Sequence, residues 1–112
     1  MHLVMLETNG NQRFVFTSPR QRENIGASYL LTMLAPWTLA VGEELGIDAV
    51  PVSVSSGKII LTVQDESAAR ALIGAVSRRV LAIAPGMDVS GVFKKIEAVT
   101  EDELKSIHVI AN

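Results

Sequence analysis

The first apolar run of the chain predicts a buried strand. Residues 2–6 read His-Leu-Val-Met-Leu, and the length of this run favours a strand over a helix. Polar residues and Gly10 follow, and we expect residues 13–17 to extend the strand after a bend at Gly10. The alternative is that residues 13–17 begin the next helix early.

A predicted helix starts at Ser18, whose hydroxyl can accept from an unpaired backbone N–H. Pro19 fits the first turn, and Gln21 completes a capping box. Pro36 interrupts the apolar stripe of this helix, so we expect a kink or two helices end to end, with Gly46 as the terminator. The stripe consists of Leu30, Leu34, Trp37, Val41 and Leu45.

The middle of the chain predicts a hairpin and a second helix. Two β-rich runs, residues 49–54 and 58–64, flank a turn in which Gly57 can supply a left-handed conformation. Asp65 is placed to cap the following helix, and the Pro-Gly pair at 85–86 should end it. The apolar stripe of this helix consists of Ala69, Leu72, Ile73, Val76, Val80 and Ile83.

The last third predicts a strand and a terminal helix. Residues 87–93 have β-forming character, weakened by Gly91, and Thr100 with Glu103 forms a second capping box. The chain ends at Asn112 without a stop signal, which fits either a segment of a longer protein or a terminal helix that frays. The stripe of this helix contains Leu104, Ile107, His108 and Ala111.

These elements predict an α+β fold of the ferredoxin-like class. Their order is strand, helix, strand, strand, helix, strand, then a terminal helix. This is the split βαβ pattern, a four-stranded antiparallel sheet with two helices on one face. We assign residues 1–112 to one domain, either complete or the N-terminal segment of a longer protein.

Composition narrows the classes of function. Apolar residues make up 48% and charged residues 20% of the chain, which is typical of a globular protein. The formal net charge of −2 gives no overall attraction for nucleic acid or an anionic membrane, so any anion site has to be local. The chain lacks cysteine, a membrane-length apolar run and a secretory signal, so we expect a cytoplasmic location without disulfides or thiolate metal sites.

One candidate site surrounds the start of the first predicted helix. Asn11 and Gln12 precede a helix N-terminus, where backbone N–H groups and the helix dipole favour phosphate. Arg20 and Arg22 can add bidentate contacts. The alternative is that both arginines are solvated, with Arg20 paired to Glu23 one turn on.

Other side chains give weaker signals. His2 and His108 stand at opposite ends of the chain with no acid in helical register, so neither a metal site nor a general base is indicated. Phe14 and Phe16 alternate as base-stacking aromatics do on RNA-binding sheets. No RNA-binding motif accompanies them, so there is no strong nucleic-acid signal.

Within residues 10–31 one spacing is distinctive, that of Gln12, Phe14, Phe16, Arg20, Arg22, Gly26, Ser28, Leu30 and Leu31. This spacing resembles the opening of the palm-like domains in the large subunit of type III CRISPR effector complexes. Those domains are related to the nucleotidyl cyclase and polymerase palms. The resemblance covers about a fifth of the chain.

The resemblance implies roles for particular residues. In the family, the small residues corresponding to Gly26 and Ser28 lie near the nucleotide, whereas by packing alone Gly26 can serve a close approach of helix and sheet. Active members carry metal-binding acids at the end of the first strand and in the hairpin turn. Here these positions offer Glu7, the only weak candidate metal ligand, and a turn followed by Lys58, whose charge would repel metal ions.

The resemblance therefore implies an acid-free, non-catalytic palm that binds ATP or another nucleotide, or pairs with another palm in an antiviral signalling assembly. A second hypothesis is a structural or oligomerisation module, in which the sheet face pairs with a copy of itself and no ligand binds. A third is a nucleotidyl cyclase that is active only with acids supplied by a partner or a further segment.

Overall fold

The computed structural model describes residues 1–8, 32–55, 57–83 and 89–111. The predicted strand extension at 13–17 and the predicted helix start at Ser18 lie outside these residues. The described elements are, in order, β1 (His2–Thr8), α1 (Leu34–Glu44), β2 (Val50–Ser55), β3 (Lys58–Val63), α2 (Glu66–Ile83), β4 (Val89–Lys95) and α3 (Glu101–Ala111).

The four strands form one antiparallel sheet in the order β2-β3-β1-β4. β1 and β3 therefore occupy the centre, and β2 and β4 form the edges. The predicted α+β arrangement, consistent with the ferredoxin-like class, is confirmed. None of the described helices combines the length and the apolarity that crossing a bilayer requires.

Helices α1 and α2 pack on one face of the sheet. Side chains alternate between the two faces of a strand, so every second residue of β1 and β3 points toward these helices. The core between the sheet and these helices consists mainly of aliphatic residues that are almost fully buried. They are Val4, Leu6, Ile59, Leu61 and Val63 from the sheet, with Leu34, Val41, Leu72, Val76 and Val80 from the helices.

Helix α3 covers the opposite face. Leu3 and Met5 of β1 and Ile60 of β3 form a second cluster there with Ile107 of α3. Ile107 is fully buried, with an exposed fraction of 0%. The terminal helix thus occupies the face that a sheet with helices on one side only would leave open.

The predicted end of α1 is confirmed. Ile47 N–H donates to the carbonyl of Gly42 at 2.8 Å, and Gly46 N–H donates to Glu43 at 3.1 Å. With Gly46 at a φ of 70°, this is a Schellman motif, which only glycine adopts without strain. Pro36 lies in the first turn of α1, where its missing N–H costs no intrahelical hydrogen bond.

Two predicted caps are also present. Asp65 Oδ1 accepts from Ala68 N–H at 2.7 Å, and Thr100 Oγ1 accepts from Glu103 N–H at 3.2 Å. Gly57 has a φ of 75° in the predicted hairpin turn.

Three details differ from the sequence-based expectation. β4 is described over Val89–Lys95 and ends two residues beyond the predicted end at Phe93, because its pairing with β1 extends to Lys95; the predicted residues 87 and 88 lie outside the described residues. Leu45 and Ile83, assigned to apolar stripes, are 49% and 51% exposed. Leu45 directly follows the last residue of α1 and Ile83 is the last residue of α2, so neither reaches the core.

Candidate functional site

The end of β1 lies beside the β2–β3 turn. Glu7 is opposite Lys58 in the β1–β3 register. Thr8 N–H donates to the Gly57 carbonyl at 2.8 Å, and Thr8 Oγ1 approaches the same oxygen at 3.3 Å. Because Thr8 is only 5% exposed, these contacts fix the turn against the end of β1.

Glu7 and Lys58 form an ion pair at this position. Glu7 Oε2 lies 3.8 Å from Lys58 Nζ, and the two side chains are 41% and 31% exposed, respectively. Glu7 follows Leu3 and Met5 at every second position of β1 and so shares their face of the sheet, which places the pair on the face that α3 covers. The carboxylate that sequence analysis offered as the weak metal candidate therefore has a cation as its neighbour.

His108 of α3 contacts the same lysine. Its Nδ1 lies 2.7 Å from the Leu104 carbonyl, and its Nε2 lies 3.2 Å from Lys58 Nζ. A carbonyl oxygen can only accept, so Nδ1 carries the proton in the neutral ring and Nε2 accepts from the ammonium. Sequence analysis missed this contact because 50 residues separate His108 from Lys58.

A second set of polar contacts attaches the start of α3 to β4. Lys94 Nζ lies 3.1 Å from Glu103 Oε1 and 2.8 Å from Ser106 Oγ. An open groove of about 650 Å³ lies nearby, lined by residues 95–98, Thr100 and Glu103. This groove is at the N-terminal end of α3 and does not include Glu7 or Lys58. It is therefore separate from the ion pair at the end of β1.

The described residues contain no group of three histidine, aspartate or glutamate side chains that could hold a metal ion. His2 lies away from Glu7, Lys58 and His108, and its ring centroid is 6.0 Å from that of Phe93. These two residues are on the face covered by α1 and α2, opposite His108.

The residues predicted to contact a nucleotide lie outside the described residues, and so do Phe14 and Phe16. Their roles therefore stay predictions. The predicted contact residues are Asn11, Gln12, Arg20, Arg22, Gly26 and Ser28.

The fold has a counterpart among solved structures. The crystal structure of Csm1 in T. onnurineus is similar with a TM-score of 0.65 and 11% sequence identity, over 98% of this chain and 19% of that chain. The chain is similar in fold to about a fifth of Csm1. No protein-family model matches the chain, and no curated protein matches it. At this identity, the similarity to Csm1 shows a shared fold.

Proposed function

We propose that residues 1–112 form a palm-type domain of the type III CRISPR large-subunit kind, which does not catalyse nucleotidyl transfer. In this proposal the domain holds a nucleotide or pairs with another palm in an antiviral signalling assembly. Two lines of reasoning support it. The spacing of residues 10–31 resembles that family, and the fold is similar to part of Csm1, a type III CRISPR large subunit.

The ion pair of Glu7 and Lys58 is the observation that carries the non-catalytic assignment. Two-metal phosphoryl chemistry needs several carboxylates around two divalent ions. Among the described residues, the end of β1 and the start of β3 carry one carboxylate, 3.8 Å from an ammonium group. An arriving cation would have to displace or approach this ammonium, which opposes metal binding.

A nucleotide would then be bound through protein groups that contact its phosphates directly, without metal ions. Asn11 and Gln12 can present backbone N–H groups to phosphate, and Arg20 and Arg22 can supply the positive charge. Because arginine is always charged, such a site should bind ATP with little dependence on magnesium.

A calorimetric titration of ATP into the full chain, with and without magnesium, tests this proposal. We expect binding in both buffers, and a loss of about 1–3 kcal/mol of binding free energy in Arg20→Ala and Arg22→Ala. Arg78→Ala is the matched control, because Arg78 is an exposed arginine on α2. Affinity that is unchanged in the Arg20 and Arg22 variants, or that requires magnesium, would contradict the proposal.

A structural module is the second candidate, and the β2 edge favours it. β2 contains no charged residue, and its Val50 and Val54 are 52% and 56% exposed. Uncharged edge strands are prone to pair with another strand. Pro51 and the irregular register beside it restrict such pairing to the second half of β2. Pairing through the sheet face, as first hypothesised, would instead require α3 to be displaced.

A further inference from the structure

We infer that Lys58 binds the β- or γ-phosphate of a nucleotide, so that the ligand of this domain is a nucleoside di- or triphosphate and not a monophosphate. This inference rests on the proposed function and names the class of ligand that its site takes. The position, the contacts and the exposure of the Lys58 ammonium group carry it.

Lys58 begins β3 directly beside the end of β1. It lies opposite Glu7, and Thr8 N–H donates to the carbonyl of the preceding residue, Gly57, at 2.8 Å. Asn11, the first of the proposed phosphate contacts, follows Thr8 by three residues, and a chain of that length spans at most about 11 Å. Lys58 therefore lies at the point where the chain enters the proposed phosphate-binding segment.

The Lys58 ammonium keeps donors for a ligand. One of its three N–H groups is directed to His108 Nε2, at 3.2 Å. Glu7 Oε2, at 3.8 Å, attracts the charge but lies beyond hydrogen-bond distance. No other polar group in the described part of the chain is paired with this ammonium, so two N–H groups remain for phosphate oxygens.

The same two neighbours hold the lysine side chain in place. The side chain is 31% exposed, compared with 74% for Lys105 on the outer surface of α3. An ammonium that is already positioned loses less conformational entropy when a ligand binds. Lys58 is thus both accessible to solvent and prepared for an anion.

The Glu7 carboxylate is compatible with phosphate binding by its partner. In protein kinases, a lysine that is paired with a glutamate holds the phosphates of ATP. Backbone N–H groups at a helix start suit one phosphate group, and a separate ammonium beside them suits another. This arrangement favours a ligand with a chain of phosphates.

Lys94 does not offer the same chemistry. It is a second strand lysine on the face that α3 covers, but it lies opposite Leu3, toward the other end of β1. Its ammonium is engaged by Glu103 Oε1 at 3.1 Å and Ser106 Oγ at 2.8 Å. Lys94 therefore attaches α3 to the sheet, whereas Lys58 can bind a ligand.

Calorimetric titrations of ATP and AMP into the full chain, as wild type and as Lys58→Met, test the inference. We expect Lys58→Met to weaken ATP binding about tenfold or more and AMP binding less than about threefold, because only ATP carries the phosphates that the ammonium contacts. Lys105→Met is the matched control, since Lys105 also has a glutamate neighbour, Glu101 at 3.7 Å. It should keep both affinities.

A further variant separates direct contact from repulsion. Removal of the lysine leaves the Glu7 carboxylate without its partner, and this charge would repel phosphate from a distance. The double variant Glu7→Gln with Lys58→Met should therefore still bind ATP about tenfold more weakly than Glu7→Gln alone. Equal ATP affinities of these two proteins would overturn the inference.

The arginine variants distinguish failure of this inference from failure of the proposed function. If Lys58→Met leaves ATP affinity unchanged, or weakens ATP and AMP equally, while Arg20→Ala and Arg22→Ala weaken ATP binding, the role of Lys58 is wrong and the proposed nucleotide site stands. A wild-type chain that binds neither ATP nor AMP would overturn both.

Discussion

Gly91 of β4 lies directly against Ile73 of α2. A Cβ atom on residue 91 would come within 2.7 Å of both Cγ1 and Cγ2 of Ile73, a separation that real Cβ contacts do not show. The absence of a side chain at Gly91 is thus what allows α2 to pack on β4. From sequence alone, the same glycine indicated only a weaker strand.

Gly91→Ala should therefore lower the free energy of unfolding by about 1–3 kcal/mol, through overpacking against Ile73. Chemical denaturation measures this change. Gly74→Ala is the matched control on α2, because its added methyl group would meet only the end of the flexible Arg78 side chain, at 3.3 Å. This control should be neutral or stabilise by up to about 1 kcal/mol.

Shortening the neighbour tests the cause of the Gly91 effect. In an Ile73→Ala background, Gly91→Ala should cost less stability than in the wild type, because alanine removes Cγ1, Cγ2 and Cδ1, the three atoms within 3.0 Å of the added Cβ. A neutral effect of Gly91→Ala would show that the helix shifts freely, against the packing argument.

The cap of α2 supports a second prediction. Asp65→Ala should destabilise the protein by about 1 kcal/mol, since it removes the 2.7 Å hydrogen bond to Ala68 N–H. Asp65→Asn should retain most of the stability, because the amide oxygen can accept the same bond. Thermal unfolding of the three proteins makes the comparison. Equal losses in both variants would point to the carboxylate charge at the helix N-terminus instead of the cap.

Local chemistry explains which parts of the fold could be predicted. Asp65 and Gly46 act on groups a few residues away, so their roles as cap and terminator follow from neighbouring sequence. Leu104 and Ile107 show that one side of α3 is buried, but the same stripe would suit either face of the sheet. That α3 covers the face opposite α1 and α2 depends on tertiary packing.

The site around Glu7 and Lys58 could also be predicted only in part from the sequence. The family resemblance implied a site with a single acid, Glu7, and a lysine, Lys58, and their 3.8 Å separation shows the two in contact. His108 could not be assigned to this site from periodicity, because a helical stripe does not identify the strand residue it meets. The arginines at 20 and 22 stay a prediction from sequence.

The third prediction concerns turnover. The isolated chain should release no pyrophosphate from ATP with magnesium or manganese, because the described residues at the end of β1 and the start of β3 offer one lysine-paired carboxylate, which cannot hold two metal ions. A pyrophosphate-release assay checks this, with Glu7→Gln as the control. Turnover in the wild type that disappears in Glu7→Gln would contradict the non-catalytic assignment, whereas equal signals in both proteins would identify a contaminating enzyme.

The fourth prediction separates the structural-module hypothesis from nucleotide holding. If the chain pairs with itself through β2, Val54→Lys should raise the dissociation constant of the dimer by about tenfold or more, since an edge lysine opposes strand pairing. Leu81→Lys is the matched control, because Leu81 has the same exposed fraction of 56% but lies on α2. Light scattering across a concentration series distinguishes the variants. A wild-type chain that stays monomeric throughout would remove self-pairing from consideration, and equal weakening by both lysines would place the dimer contact elsewhere than on β2.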